Sequence, residues 1–252
     1  MTGLMSASLS HLNRADGSVT FSHNGYTVLG AVNGPIEAQR RDELPQEAAV
    51  DVIVRPASGV GGLRERSLES IVTSTLRHVV LTQNHPRTLI QVTLQITTTP
   101  ENDSASSQLA QGNSNLPILP CLLQASVFAL LSASIPLSTT FTSTILVADP
   151  TGKVIMSPSA HDLDQATSRH VLAFSPKGDL LVAESEGNFS LGTWEDVFDC
   201  GRAICCAPKG PGADDDDGMK MDTGDEETME GVLRRVMEEQ TARDQRWKGE
   251  VR

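Results

Sequence analysis

Apolar and polar residues change rhythm along this chain, and each change marks an element. Val19 to Phe21 and Tyr26 to Val32 predict two strands around Ser22-His23-Asn24-Gly25, whose Asn-Gly pair supplies the positive φ angles of a tight hairpin. Gly34-Pro35 is expected to end the second strand, and the polar stretch Ile36 to Gln46 to form a loop or a poorly ordered edge. Ala48 to Val54 alternates and stops at Pro56. After the flexible Gly59-Val60-Gly61-Gly62, residues Leu68, Ile71, Val72, Leu76, Val79 and Val80 fall at helical spacing, predicting one buried helix face over Arg64–Thr82 that ends by His85-Pro86. Thr88 to Thr99 alternates again and is rich in β-branched residues, as a half-buried strand is.

Pro100 to Asn115 lacks core formers and reads as a mobile loop. Leu119 to Ser134 is apolar nearly all round, with Ala125, Ala129 and Ala133 at every fourth place. This predicts a central helix whose small residues let neighbours approach closely. Phe141–Ala148 and Val154–Met156 read as strands around the turn Asp149-Pro150-Thr151-Gly152. Val171–Phe174 and Leu180–Glu184 form a late hairpin around Pro176-Lys177-Gly178-Asp179. A helix over Trp194–Cys206 turns Trp194, Val197, Phe198 and Ile204 inward and ends at Pro208 and Gly210. Asp214 to Asp217 then make a self-repelling linker. Beyond it Met229, Val232, Leu233, Val236 and Met237 recover helical spacing. A lone amphipathic helix on a tether cannot bury its face, so this one is expected to dock on a partner or fray.

Composition narrows the function. The 252 residues suit one large domain or one domain with an appendage, and the 38% apolar share leaves part of the chain outside a core. Net charge is -12, with 13 acidic against 8 basic residues from Lys209 onward and 19 against 12 before it. Both parts repel a phosphate backbone on average, which argues against tight autonomous nucleic-acid binding. Cys121, Cys200, Cys205 and Cys206 contain no C-x-x-C pair and are expected to be buried or half-buried thiols in a reducing compartment. The amino-terminal residues lack a secretory pattern, and the apolar stretch Leu116–Leu137 is broken by prolines and polar residues. A soluble intracellular protein without membrane contact is the expectation.

Arg14-Ala15-Asp16-Gly17 resembles the Arg-x-Asp-Gly opening of the RNase PH family, and Thr27 to Pro35 resembles the first hairpin arm of that family. Glu65-Arg66-Ser67, His85-Pro86-Arg87-Thr88-Leu89-Ile90 with Leu94-Gln95, and Ala125 to Pro136 resemble later family segments, in order and at suitable distances, over about residues 9–206. The resemblance implies an α+β fold of the RNase PH type, like the second domain of ribosomal protein S5. With the resemblance, the RNase PH-like domain is expected at 9–207; composition and spacing add a flexible N-terminus at 1–8, an acidic linker at 208–226 and a C-terminal amphipathic helix at 227–248. His-Pro-Arg-Thr, Asp-Gly-Ser and Leu172-Ala173-Phe174 point within the family to a ring subunit of the eukaryotic RNA exosome. That implies other RNase PH-like subunits in a hetero-hexameric ring, cap RNA-binding subunits, a separate nuclease and RNA passing through a channel. It also implies a place in nucleus, nucleolus and cytoplasm, and no cofactor.

Phosphorolysis drives phosphate onto a phosphodiester, so it needs cations to hold the anion and carboxylates to bind a metal and manage protons. Active members carry Arg-Ser-Leu-Arg on a helix; the matching stretch here is Ser74-Thr75-Leu76-Arg77, which keeps one cation. Their Gly-Gly-Thr-Arg-type turn is replaced by the Pro100–Pro120 stretch, which contains no arginine or lysine. Their Asp-five-residues-Asp-x-Asn pattern aligns with Asp162 and then Ser168-Arg169-His170. Ser74, Asp162 and Ser168 are thus degenerate active-site positions, with no catalytic residue and no metal expected. Arg64, Arg66, Arg77 and Arg87 are candidate contacts to RNA or to partners. His161, Asp162, Asp164 and His170 contain zinc-binding types, but their spacing reads better as a solvated turn. Gly59–Gly62 lacks a Walker lysine and reads as a flexible turn. Ser67 and Ser74 lack a nucleophile elbow. The alternative is a phosphate-dependent 3′-to-5′ exoribonuclease.

Overall fold

Alternating residues of the first hundred positions build a five-stranded sheet with one apolar face. The computed structural model describes residues 5–100, 115–150, 152–156, 158–206 and 229–249. The strands are β1 (Ser6–Leu9), β2 (Gly17–His23), β3 (Tyr26–Glu37), β4 (Ala49–Arg55) and β5 (Thr88–Thr98), in the order β1-β2-β3-β5-β4. Only β4 and β5 pair in parallel, and helix α1 (Leu63–Val79) makes the crossover between them. A second sheet, β7-β6-β8-β9, is antiparallel throughout: β6 is Thr142–Ala148, β7 Val154–Met156, β8 Ser168–Phe174 and β9 Leu180–Gly187.

Helix α2 (Leu119–Ser132) packs on both sheets, and every residue from Leu119 to Leu130 is buried. The alanine stripe serves the approach that its spacing predicts: a methyl group on Gly17 would fall on the Ala129 carbonyl and the Ala133 amide, and one on Gly30 would lie 3.4 Å from Ala129 Cβ. Between β7 and β8 lies the short helix α3 (Ala160–Gln165), and helix α4 (Leu191–Cys205) covers the outer face of the second sheet. Leu146, Leu172, Phe174, Val197 and Cys205 form the cluster beneath it. These elements realise the α+β architecture that the resemblance implies.

Several local expectations are corrected. β3 does not stop at Gly34-Pro35; it passes through that cis peptide, and pairing with β5 resumes beyond an irregularity as Ile36↔Leu89 and Glu37↔Thr88. Helix α1 ends at Val79, and Thr82–Asn84 turn as a separate 3₁₀ segment. Strand β1 and helix α3 are additional elements. The C-terminal helix α5 (Met229–Asp244), continued by α6 (Arg246–Gly249), packs on its own chain. Leu233, at 8% exposure, joins the main core, and Val236 and Met237 pack against it. α5 lies against β1, β6 and α4. The linker 208–226 and most of the Pro100–Asn115 loop fall outside the described residues. Among those residues, no helix is long and apolar enough to cross a membrane.

Candidate functional site

Asp16 and the Gly34-Pro35 pair, far apart in sequence, meet in space. The Gly34 amide donates to Asp16 Oδ2 at 2.8 Å, so the opening turn staples itself to the far arm of the hairpin. This bond anchors the domain's first turn and leaves the carboxylate with a structural task.

Three candidate arginines sit on α1. Arg64 and Arg66 lie in its first turn, and Arg77 lies in its last. Arg66 and Arg77 are eleven positions apart, which is three helical turns, so they share a face about 16 Å apart. Ser70, Thr73 and Ser74 lie along the same side, giving a polar stripe with a cation at each end. Arg77 Nη2 meets Glu47 Oε1 at 3.1 Å, and Arg87 Nε, before β5, meets Glu43 Oε1 at 3.4 Å. All four partners are solvent-accessible, so each pair is weak, on the order of 0–1 kcal/mol, and a stronger anion can displace the glutamate.

Asp162 and Ser168 have separate local duties. Ser159 caps α3, and Asp162 Oδ2 accepts from the Ser159 amide at 2.9 Å and from its hydroxyl at 2.7 Å. These bonds hold the Asp162 carboxyl below its ordinary pKa, with a smaller contribution from His161. The carboxylate is ionised, but its oxygen is occupied by its own helix start. Arg169 clamps the adjoining strand to α3 through Leu163: Nη2 and Nε donate to that carbonyl at 2.6 and 3.1 Å.

Ser168 is 1% exposed and faces inward. Its hydroxyl lies 2.9 Å from His170 Nε2, and His170 Nδ1 lies 2.9 Å from the Ser185 hydroxyl. The result is a Ser–His–Ser chain closed on both ring nitrogens. Burial lowers the His170 pKa and favours the neutral ring. Phe189 and Trp194 shield the ring, at centroid distances of 4.8 and 5.7 Å. A neutral hydroxyl held this way lacks the negative charge of a metal-binding carboxylate. The Ser185 link and the aromatic cover were absent from the sequence reading. The only signal was cross-strand parity, which needs the β8–β9 register His170↔Ser185.

Among the described residues, no three His, Cys, Asp or Glu side chains gather as metal ligands. Cys121 and Cys205 are buried, and desolvation pushes both thiols up to about 12. The structure groups Arg64, Arg66, Ser74 and Arg77 on one helix, and ties Asp162 and Ser168 to adjoining elements through Arg169. Arg87 stands in the turn before β5.

Comparison with known proteins places these features in context. The RNase PH model, described as the 3′ exoribonuclease family, domain 1, matches residues 4–136. The exosome complex component Rrp46 of Saccharomyces cerevisiae is 32% identical over 206 residues, covering 79% of this chain and 89% of that protein. A relative from Oryza sativa subsp. japonica named exosome complex exonuclease RRP46 homolog is 33% identical over 126 residues, covering 50% of this chain and 47% of that protein. The crystal structure of rice Rrp46 superposes with a TM-score of 0.67 at 26% identity, covering 79% of this chain and 87% of that one.

Proposed function

This chain belongs to the RNase PH family, and from that premise we propose that it is a non-catalytic ring subunit of an RNA exosome that shapes a path for RNA in 3′-to-5′ processing and degradation, rRNA maturation included. One observation carries the assembly reading: the Saccharomyces cerevisiae exosome complex component matches along 89% of its own length. The geometry around Ser168 supports the absence of chemistry. A Ser–His–Ser chain, buried at Ser168 and His170 and open at Ser185, stands where the active pattern needs a carboxylate, and Ser74 replaces the first cation of the phosphate grip. Loss of both removes far more than a factor of ten in rate, because each contributes separately to stabilising developing negative charge.

In this reading the body at 9–207 is the ring unit, joined through 208–226 to the helix at 227–248. The ring holds other RNase PH-like subunits, with cap RNA-binding subunits above it and a separate nuclease receiving the RNA. The complex works in nucleus, nucleolus and cytoplasm. The arginines Arg64, Arg66, Arg77 and Arg87 supply contacts to passing RNA or to the neighbouring subunit.

Two measurements test this. Tagged full-length chain purified from its own cells is expected to bring RNase PH-like subunits with it, read by mass spectrometry of the intact assembly. The pure chain, incubated with a single-stranded RNA and inorganic phosphate, is expected to release no nucleoside diphosphate. Release that disappears in Asp162→Asn overturns the non-catalytic reading and favours an exoribonuclease, the activity named for the rice relative.

A further inference from the structure

The outer end of the second sheet is finished in a way that the Ser–His–Ser chain does not require. Register aligns Met156 with Leu146 and Leu146 with His170, so a row crosses β7, β6 and β8 beneath the start of α4. Leu146 and His170 are buried, but the groups around them are open: Met156 is 52% exposed, Phe189 45% and Leu191 74%. Phe189 is held edge-on to His170, with the rings at 79°, and lies 6.2 Å from half-buried Trp194. Large aromatic side chains held rigid and half open suit binding, since little freedom remains to be lost. Glu195 and Asp199 stand one and two turns beyond Leu191 on the exposed side of α4, with Asp196 beside them, and none of the three makes an ion pair among the described residues. Arg202, the cation of that helix, is turned towards Gly178, away from the patch.

Charge selects the class of occupant. An aromatic platform can stack nucleobases, but three carboxylates beside it repel the phosphates that must accompany them. An apolar centre with an acidic rim fits a protein segment that is apolar at its tip and basic at its flanks. The same fold displays such a segment: Val60 on the loop before α1 is 95% exposed and Leu63, the first residue of α1, 86%, next to Arg64 and Arg66 in the same first turn. We propose that Met156, Phe189, Leu191 and Trp194, with Glu195, Asp196 and Asp199, form a docking patch for an apolar-tipped basic loop of a neighbouring RNase PH-like subunit. The proposal rests on the ring-subunit reading and names the face by which this chain takes its neighbour.

The test uses the tagged full-length chain and the assembly purified with it. Leu191→Asp and Glu195→Lys alter exposed side chains, so folding is preserved, as circular dichroism verifies. Each is expected to lower recovery of one RNase PH-like subunit about tenfold, the size of a single interface contact. Leu180→Asp, at the other end of β9, is expected to leave recovery unchanged. Wild-type recovery in both patch variants overturns the proposal while the ring reading stands. Failure of the unaltered chain to recover any RNase PH-like subunit overturns both. Ultraviolet cross-links from RNA to Phe189 or Trp194 in the assembly reassign the patch to nucleic acid and also overturn the proposal.

Discussion

His23 shows how one half-buried side chain can make the stability of the whole fold depend on pH. It is the last residue of β2, paired with Tyr26 across the hairpin turn, and burial lowers its pKa from 6.5 to about 4. The unfolded chain takes up this proton first, so the stability it protects is fully present above pH 6.5 and drains away as pH falls towards 4. On the order of 3 kcal/mol is lost across that window. Urea midpoints measured from pH 7 to 4.5 are expected to fall in the native protein and to fall less steeply in His23→Gln. His170 acts in the same direction and leaves part of the slope behind. Equal slopes for the two proteins contradict the assignment. At this scale the sequence offered Ser168 as the residue that, on the proposed reading, takes the place of a family aspartate. It did not reveal that the hydroxyl turns inward, because inward and outward are set by pairing with β6 and β9.

Elements were legible where a period ran long enough to repeat. Strand β5 and the buried face of α1 follow their alternation and their helical spacing closely. The four residues of β1 and the six of α3 carry too few repeats to show one. β3 outran its expected stop because the sheet, and not the local sequence, decides whether a strand continues past a proline; β5 offers partners beyond the irregularity. Helix α5 is the clearest case of tertiary override. Its apolar spacing was visible, but the surface that receives it, from β1, β6 and α4, is assembled from distant segments. Leu233→Ser is therefore expected to destabilise the protein by roughly 2 kcal/mol or more. It is also expected to hasten proteolytic cleavage within α5. Unchanged stability and unchanged cleavage would sink the view that this helix docks on its own chain.

The molecule as a whole is acidic, with a net charge of -12. Its cations on α1 stand 16 Å apart or so and are partly matched by glutamates. On the proposed ring reading, a subunit built this way depends on neighbours to complete an RNA path. In filter binding at about 0.15 M salt, the isolated chain is expected to retain no single-stranded RNA at submicromolar concentration. Strong retention there contradicts this picture. The sequence by itself determined the order of most strands and helices through local periodicity, the charge through composition, and the RNase PH architecture through motifs that resemble that family. Only the tertiary structure decided that Ser168 turns inward onto His170, that Asp16 grips Gly34, that α5 lies on its own body, and that Met156, Phe189 and Leu191 are exposed around the same end of the second sheet. Each of those depends on strand register and on which faces meet, and contacts between distant segments are the part of a fold that no local pattern encodes.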